Sequence, residues 1–215
     1  MPLRDAFAVW DLLGQHAMPL PLAETMLARA WLAAAGVPVP TGAIALAPHV
    51  RVAEGGAQAA GVRGARVADW VLAQEGAQLV LLPVAAAEAS AGIFVLDADL
   101  RWPADAWAQA QRVAAPASLL VAQAGLVSAL LAGALLTTFE TTLNFANERQ
   151  QFGRPIGKFQ AIQHELAVMA EHVSAARMAA QIACEAGGLT ADPLKVAVGK
   201  ARTSEAAVEV ASLAH

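Results

Sequence analysis

Arg149-Gln-Gln-Phe-Gly-Arg-Pro-Ile-Gly-Lys-Phe-Gln-Ala-Ile-Gln-His164 joins the two longest helical patterns in the chain. Before it, small and apolar residues run from Ala117 to Ala146. After it, Phe159, Ile162, Leu166, Met169, Val173, Ala176 and Ala180 recur in steps of three and four. That spacing sets them on one face of a core-facing bundle helix. Gly153, Pro155 and Gly157 interrupt helix between the two patterns. The interruption gathers Arg149, Arg154 and Lys158 beside two aromatic rings. From the residues alone two readings stand. One is a solvated turn between helices. The other is a seat for a phosphate or another anion, because free N–H groups and the dipole at a helix start favour negative charge. The Gly-rich phosphate fingerprint is absent.

Composition narrows the class. A chain of 215 residues is long enough for one or two domains with a buried core. Its apolar content rests largely on alanine, which suits close-packed helices. A net charge of −4 with few basic residues argues against a nucleic-acid binder. The single cysteine, Cys184, excludes an intramolecular disulfide and fits a reducing, cytoplasmic compartment. Its helical, apolar context predicts a buried, inert thiol. The first residues do not read as a secretory signal. No charge falls between Arg112 and Glu140, a length that spans a bilayer. Ala, Gly, Ser, Thr and Gln fill much of that run and no symmetric anchors bracket it, so a helix buried in a bundle is expected, with no membrane contact.

In chain order, residues 4–15 and 22–35 read as short helices, the second stopped by Gly36, Pro38 and Pro40. From about 41 to 113 apolar runs shorten to strand length: Ala43–Leu46, Val50–Val52, Val71–Leu72, Leu79–Pro83 and Gly92–Leu96. Trp70 reads as a packing residue. Arg101–Trp107 reads as a loop or short turn, with Trp102 and Trp107 stapling this region to the helices that follow. A long helix starts near Pro116 and runs to about Gln150, with Gly125, Ser128 and Gly133 leaving room for close helix approach. A helix from Lys158 to Ala186 is expected to cap at Gly187-Gly188, and a last helix to start near Pro193 behind Thr190 or Asp192. The expected fold is mainly α with a small β domain, an α+β multidomain chain ending in an up-down helical bundle. The expected segments are 1–37, 38–113 and 114–215.

Arg149-x-x-Phe-Gly-Arg-Pro-Ile-Gly-x-Phe-Gln-x-Ile-Gln-His resembles the signature in the C-terminal helical domain of acyl-CoA dehydrogenases. Weaker resemblance extends from Leu3 to His215. It implies an acyl-CoA dehydrogenase-like fold: the end of an N-terminal helical domain, a short middle β domain and most of the C-terminal bundle. In such proteins Met1 falls mid-fold and further helices follow the position of His215. The resemblance also implies FAD as cofactor, an acyl-CoA substrate desaturated between Cα and Cβ, and an electron-transfer flavoprotein as electron acceptor. It implies homo- or hetero-oligomers, dimers or tetramers, because the motif reaches the FAD of a neighbouring subunit. The residues it assigns to FAD are Arg149, Gln150, Gln151, Phe152, Phe159 and Gln160.

Two departures from the family pattern bear on chemistry. The Thr/Ser-Glu-Pro loop and the Trp-Ile-Thr/Ser strand that hold the flavin ring in the family are absent. The family's general base is a glutamate, needed because a thioester α-proton is hard to remove. One family position for it lies beyond His215. The other, counted back from Arg149, falls on Gln123, with the neighbouring substrate contacts on Val121 and Ala124. A glutamine is no base, so no catalytic residue is assigned. His164 and His172 stand eight residues apart and do not form an i, i+4 zinc pair, so no metal site is expected. The alternative function is a non-catalytic partner subunit that completes another chain's FAD site; the third is a helical interaction module without flavin.

Overall fold

A computed structural model describes residues 2–53 and 55–215. Packing divides them into two compact units, residues 19–123 and residues 2–18 with 124–215. The expected segments follow changes in sequence texture, whereas the units follow contacts. Helix α1 (Leu3–Gln15) therefore packs with the C-terminal helices, and α2 (Leu22–Ala34) with the β strands.

The first unit holds two four-stranded sheets. One has the order β1 (Ile44–Ala47), β4 (Trp70–Glu75), β5 (Gln78–Pro83), β8 (Gln111–Ala114), with β1 parallel to β4 and the other pairs antiparallel. The other has the antiparallel order β2 (Arg51–Ala53), β3 (Gly56–Val62), β7 (Ala98–Trp102), β6 (Glu88–Ala91). Their core joins Ala45, Ala57, Val71, Val80, Leu82 and Leu100 around Trp102. Small alanines on the strands leave the volume that the indole fills. Ile44 and Leu46, on the other side of β1, are also buried, and Thr25 of α2 accepts from the Ile44 N–H at 2.8 Å.

Three expectations change here. Trp102 and Trp107, expected as staples to the helices, pack among the strands. Both are buried in the first unit's own core, Trp102 donates to the Pro83 carbonyl at 3.0 Å, and Trp107 lies in α3 (Ala104–Gln109) under the Arg112 guanidinium. Gly92–Leu96 is no strand. It is a turn closed by Gly92 N–H to Asp97 O and Asp97 N–H to Phe94 O, so Ile93, Phe94 and Val95 stand exposed. The strand Gly56–Val62 forms instead, although Gly56-Ala-Gln-Ala-Ala-Gly61 has little intrinsic strand preference. Pairing on both edges imposes it, with a register shift between Ala59 and Val62 beside Gly61 at φ +59°.

Glu24 in the first turn of α2 is buried, and Arg63 Nη2 lies 3.0 Å from its Oε1. Burial raises the Glu24 pKa above 4.5, opposed by the Arg63 charge and then by a backbone hydrogen bond. Between 4.5 and that raised value the folded state holds a proton that the unfolded chain releases. This group favours the fold at low pH, and that contribution is lost as pH rises from about 4.5 through the folded value. Arg63→Met removes the counter-charge. It is expected to lower stability by about 2 kcal/mol at neutral pH, less than for a fully buried pair because Arg63 is half-exposed. Urea melts should show the deficit shrinking on acidification; a deficit independent of pH would refute the pairing.

The second unit is an up-down bundle. Helix α4 (Leu119–Glu148) begins in the first unit and continues through the second. It is long and apolar enough to cross a membrane, and half of its most apolar stretch is buried. Within the bundle Leu135 of α4 packs with Met169, Val173 and Ala176 of α5 (Gln160–Ala183) and with Ala206 and Val210 of α6 (Pro193–Ala214). The predicted apolar face of α5 is therefore packed within the chain from Leu166 to Ala180. Asp192 caps α6 by accepting from the Leu194 and Lys195 N–H groups, ahead of Pro193. Helix α5 ends earlier than expected, with Cys184 as its C-cap rather than the glycine pair. The Gly188 carbonyl instead accepts from Leu3 N–H at the free start of α1. On α1, buried Asp11 receives Arg177 of α5 at 2.9 Å.

Candidate functional site

Between α4 and α5 the chain makes a minimal hairpin. Strand β9 (Gln150–Gln151) pairs antiparallel with β10 (Arg154–Pro155), Arg154 opposite Gln151 and Pro155 opposite Gln150. Arg149 N–H still completes the last turn of α4 by donating to Phe145 O, and the Arg149 carbonyl accepts from Ile156 N–H at 2.8 Å, closing the hairpin base. The turn residues are Phe152 at φ +52° and Gly153 at φ +79°. A two-residue hairpin turn of this hand needs positive φ at both centres, which is why Asn-Gly is its usual sequence. Phe-Gly carries no such signal, so the hairpin was not legible beforehand.

A single 3₁₀ turn, Ile156–Lys158, leads to Phe159, the N-cap residue of α5, and Gln160 opens the helix. Gly157 keeps this point close to α4, because a Cβ there would make a tight contact of 3.1 Å with the Ala146 carbonyl. Gln163 Nε2 donates to Gly157 O at 3.1 Å and fixes the turn to the first coil of α5.

The hairpin thus gathers the predicted residues on one short connection. Arg149, Gln150, Gln151, Phe152 and Gln160 are exposed, and Phe159 is half-buried. The rings of Phe152 and Phe159 meet edge to face, centroids 6.2 Å apart at 88°. Arg154 lies over the Phe159 ring, its guanidinium carbon 4.2 Å from the centroid. A left-handed phenylalanine costs about 1–2 kcal/mol. The ring pair returns about 0.5–1.5 kcal/mol and the cation over the ring about 0.5–1 kcal/mol. The stack therefore roughly offsets the strain at the tip, while Phe152 remains 91% exposed. Phe152→Asn should leave the stability of the free chain within about 0.5 kcal/mol in urea melts, because asparagine tolerates this backbone but gives up the ring contact. A clear loss would mean that the ring contact outweighs the strain.

Arg149, Arg154 and Lys158 form no ion pair among the described residues. Three cations without an anion of their own, exposed carboxamides and two ring edges are chemistry suited to an anionic dinucleotide: charge for the pyrophosphate, amides for its polar groups, and rings for its flat faces.

The other sequence-selected residues lie on other elements. Gln123, Val121 and Ala124 are half-buried on the early turns of α4, and none of them is a base. Trp70 is half-buried; its Nε1 donates to Thr41 O at 3.1 Å, and it lines a cleft of about 500 Å³ with Pro38, Pro40, Leu81 and Pro83. His164 is exposed, while His172 Nδ1 lies 3.2 Å from Arg202 Nη2. Arginine only donates, so Nδ1 is the acceptor in this contact. Cys184 is buried, and burial pushes its thiol up to about 12, leaving an inert sulfur.

Residues 114–215 match the family model for the acyl-CoA dehydrogenase C-terminal domain. Acyl-CoA dehydrogenase IpdE2 of Mycobacterium tuberculosis (strain H37Rv) is 29% identical over 210 residues, which is 95% of this chain and 62% of that protein. The chain thus spans somewhat under two thirds of that relative's length. Among solved structures, the ChsE4–ChsE5 complex from Mycobacterium tuberculosis superposes with a TM-score of 0.78 at 23% identity, covering 97% of this chain and 68% of that one. PigA with FAD and proline superposes with a TM-score of 0.75 at 18% identity, over 100% of this chain and 71% of that one. At these identities the structures speak for the fold.

Proposed function

Because this chain belongs to the acyl-CoA dehydrogenase family, we propose that it supplies part of the FAD site in an assembly that desaturates an acyl-CoA thioester between Cα and Cβ. The observation that carries this reading is the Arg149–Gln160 connection. It is complete as a motif, cationic and largely exposed. Bound FAD would take up the hydride that leaves the substrate's Cβ. An electron-transfer flavoprotein is the proposed electron acceptor, and the cytoplasm the proposed compartment.

In this reading the chain's own residues bind and orient. The Arg149 guanidinium, at the end of α4 with no anionic partner among the described residues, pairs with pyrophosphate oxygens. Gln150, Gln151 and Gln160 offer carboxamides that can donate and accept. Phe152 and Phe159 offer apolar ring surface that excludes water from the nucleotide. The connection lies on the surface, so another subunit supplies the remaining walls; this supports a homo- or hetero-oligomeric assembly.

The α-proton must leave to a carboxylate that this arrangement does not supply. Gln123 stands where the family resemblance asks for glutamate, and its amide cannot accept the proton at neutral pH. That substitution favours a second form of the proposal: a non-catalytic subunit that completes the FAD site of a glutamate-bearing partner chain. Purification of the native assembly decides between the two forms. A flavin absorbance band with this chain alone supports the homomeric form. A flavin band that appears only with a second, glutamate-bearing chain supports the heteromeric form. No flavin uptake in either state would refute both.

A further inference from the structure

The residue that departs furthest from the assigned set is Arg154. The family resemblance gives it no role, yet the structure ties it to two rings that have one. Its guanidinium carbon lies over the Phe159 ring, 4.2 Å from the centroid, and Phe159 meets Phe152 edge to face at 6.2 Å. Phe152 is the hairpin tip, at φ +52°, a conformation that an L side chain rarely adopts. It is also 91% exposed, so no surrounding core holds its ring in place. The support on its own chain is Phe159, and Phe159 is half-buried, with Arg154 over its face. Arg154 sits directly after the turn and pairs in register with Gln151, so its side chain starts from a fixed backbone. It makes no ion pair among the described residues, and its guanidinium meets the Phe159 ring.

We propose that Arg154 is a positioning residue: its planar guanidinium, stacked on Phe159, fixes that ring as the backstop for Phe152, and so presets the tip that meets the flavin nucleotide. This role rests on the FAD reading above. It differs from a phosphate contact in what it requires of the side chain. Stacking requires a plane, whereas attraction to phosphate requires a charge. Arginine has both, lysine keeps the charge without the plane, and glutamine keeps a planar group without the charge. Positioning also acts before ligand arrives, since a tip already in place loses less freedom on binding.

The test compares Arg154→Lys with Arg154→Gln in the full-length chain, within whichever assembly takes up FAD. One readout is the FAD dissociation constant by flavin fluorescence titration. The other needs no FAD: the ring-proton shifts of Phe152 and Phe159 by NMR on phenylalanine-labelled protein, which the edge-to-face contact displaces from their free values. The expected result is that Arg154→Lys, which keeps the charge but not the plane, loses the displaced shifts and binds FAD about fivefold more weakly, while Arg154→Gln keeps the shifts and stays within about twofold of the parent. The reverse order, with lysine preserving affinity and glutamine losing it, would mean that Arg154 serves as a charge, and would overturn the proposal. So would unchanged ring shifts in both variants. If the unsubstituted chain takes up no FAD in any assembly, the FAD reading itself fails and this role fails with it. If it binds FAD and only the lysine–glutamine order is wrong, the role of Arg154 fails alone.

Discussion

Arg149→Ala is expected to weaken FAD binding by about tenfold to a hundredfold, the cost of removing a charge-assisted hydrogen bond to phosphate. The thermal midpoint should hardly move. Arg149 is exposed and its guanidinium makes no ion pair among the described residues, so the fold does not depend on its side chain. Its backbone does carry structure, bonding Phe145 O on one side and Ile156 N–H on the other, but alanine retains both bonds. Titration of the apo-assembly with FAD, beside a thermal melt, separates binding from stability. Raised salt should weaken the unsubstituted protein more than the variant, because screening removes an interaction that the variant has already lost. Equal affinities for the two proteins would remove Arg149 from the site and return the connection to a solvated turn.

Gly133→Val should destabilise the second unit by about 4 kcal/mol or prevent folding. A Cβ at Gly133 would overlap the Asp11 carbonyl of α1, and a Cβ at Gly14 would overlap the Leu130 carbonyl of α4. The two glycines therefore mark one crossing at which backbone meets backbone. A side chain there must push the helices apart, which would open the contacts around Trp10 and the Asp11–Arg177 pair. Gly125 on the same helix provides the contrast. A Cβ there would sit 3.5 Å from Val196 Cγ2, an ordinary contact. Gly125→Ala should thus be neutral or stabilising by up to about 1 kcal/mol through helix propensity. Urea denaturation of both variants checks the pair. Equal effects would mean that α1 and α4 do not touch at Gly133.

The helices were legible because their cause is local and repeated. Periodic apolar faces gave five helices to within a few residues, and Met169, Val173, Ala176 and Ala180 are buried as their spacing requires. Asp192 before Pro193 marked a true start. The motif between α4 and α5 was legible as a set of residue types, and the chain holds those residues on one connection. What the sequence left open had non-local causes. Gly56–Val62 is a strand because two partners impose it, and Gly92–Leu96 is a turn because no partner meets it, although apolar content suggests the opposite. Trp102 and Trp107 turned inward because the strands around them carry alanines, a fact about facing surfaces and not about neighbours in sequence. Phe152 at positive φ, with Arg154 and Phe159 stacked behind it, was likewise decided by tertiary structure. Sequence by itself determined the five longer helices and which residues fall on the connection between α4 and α5, but not the short helix α3. Only the folded chain decided how those groups face, because orientation depends on contacts between residues that the linear order does not pair.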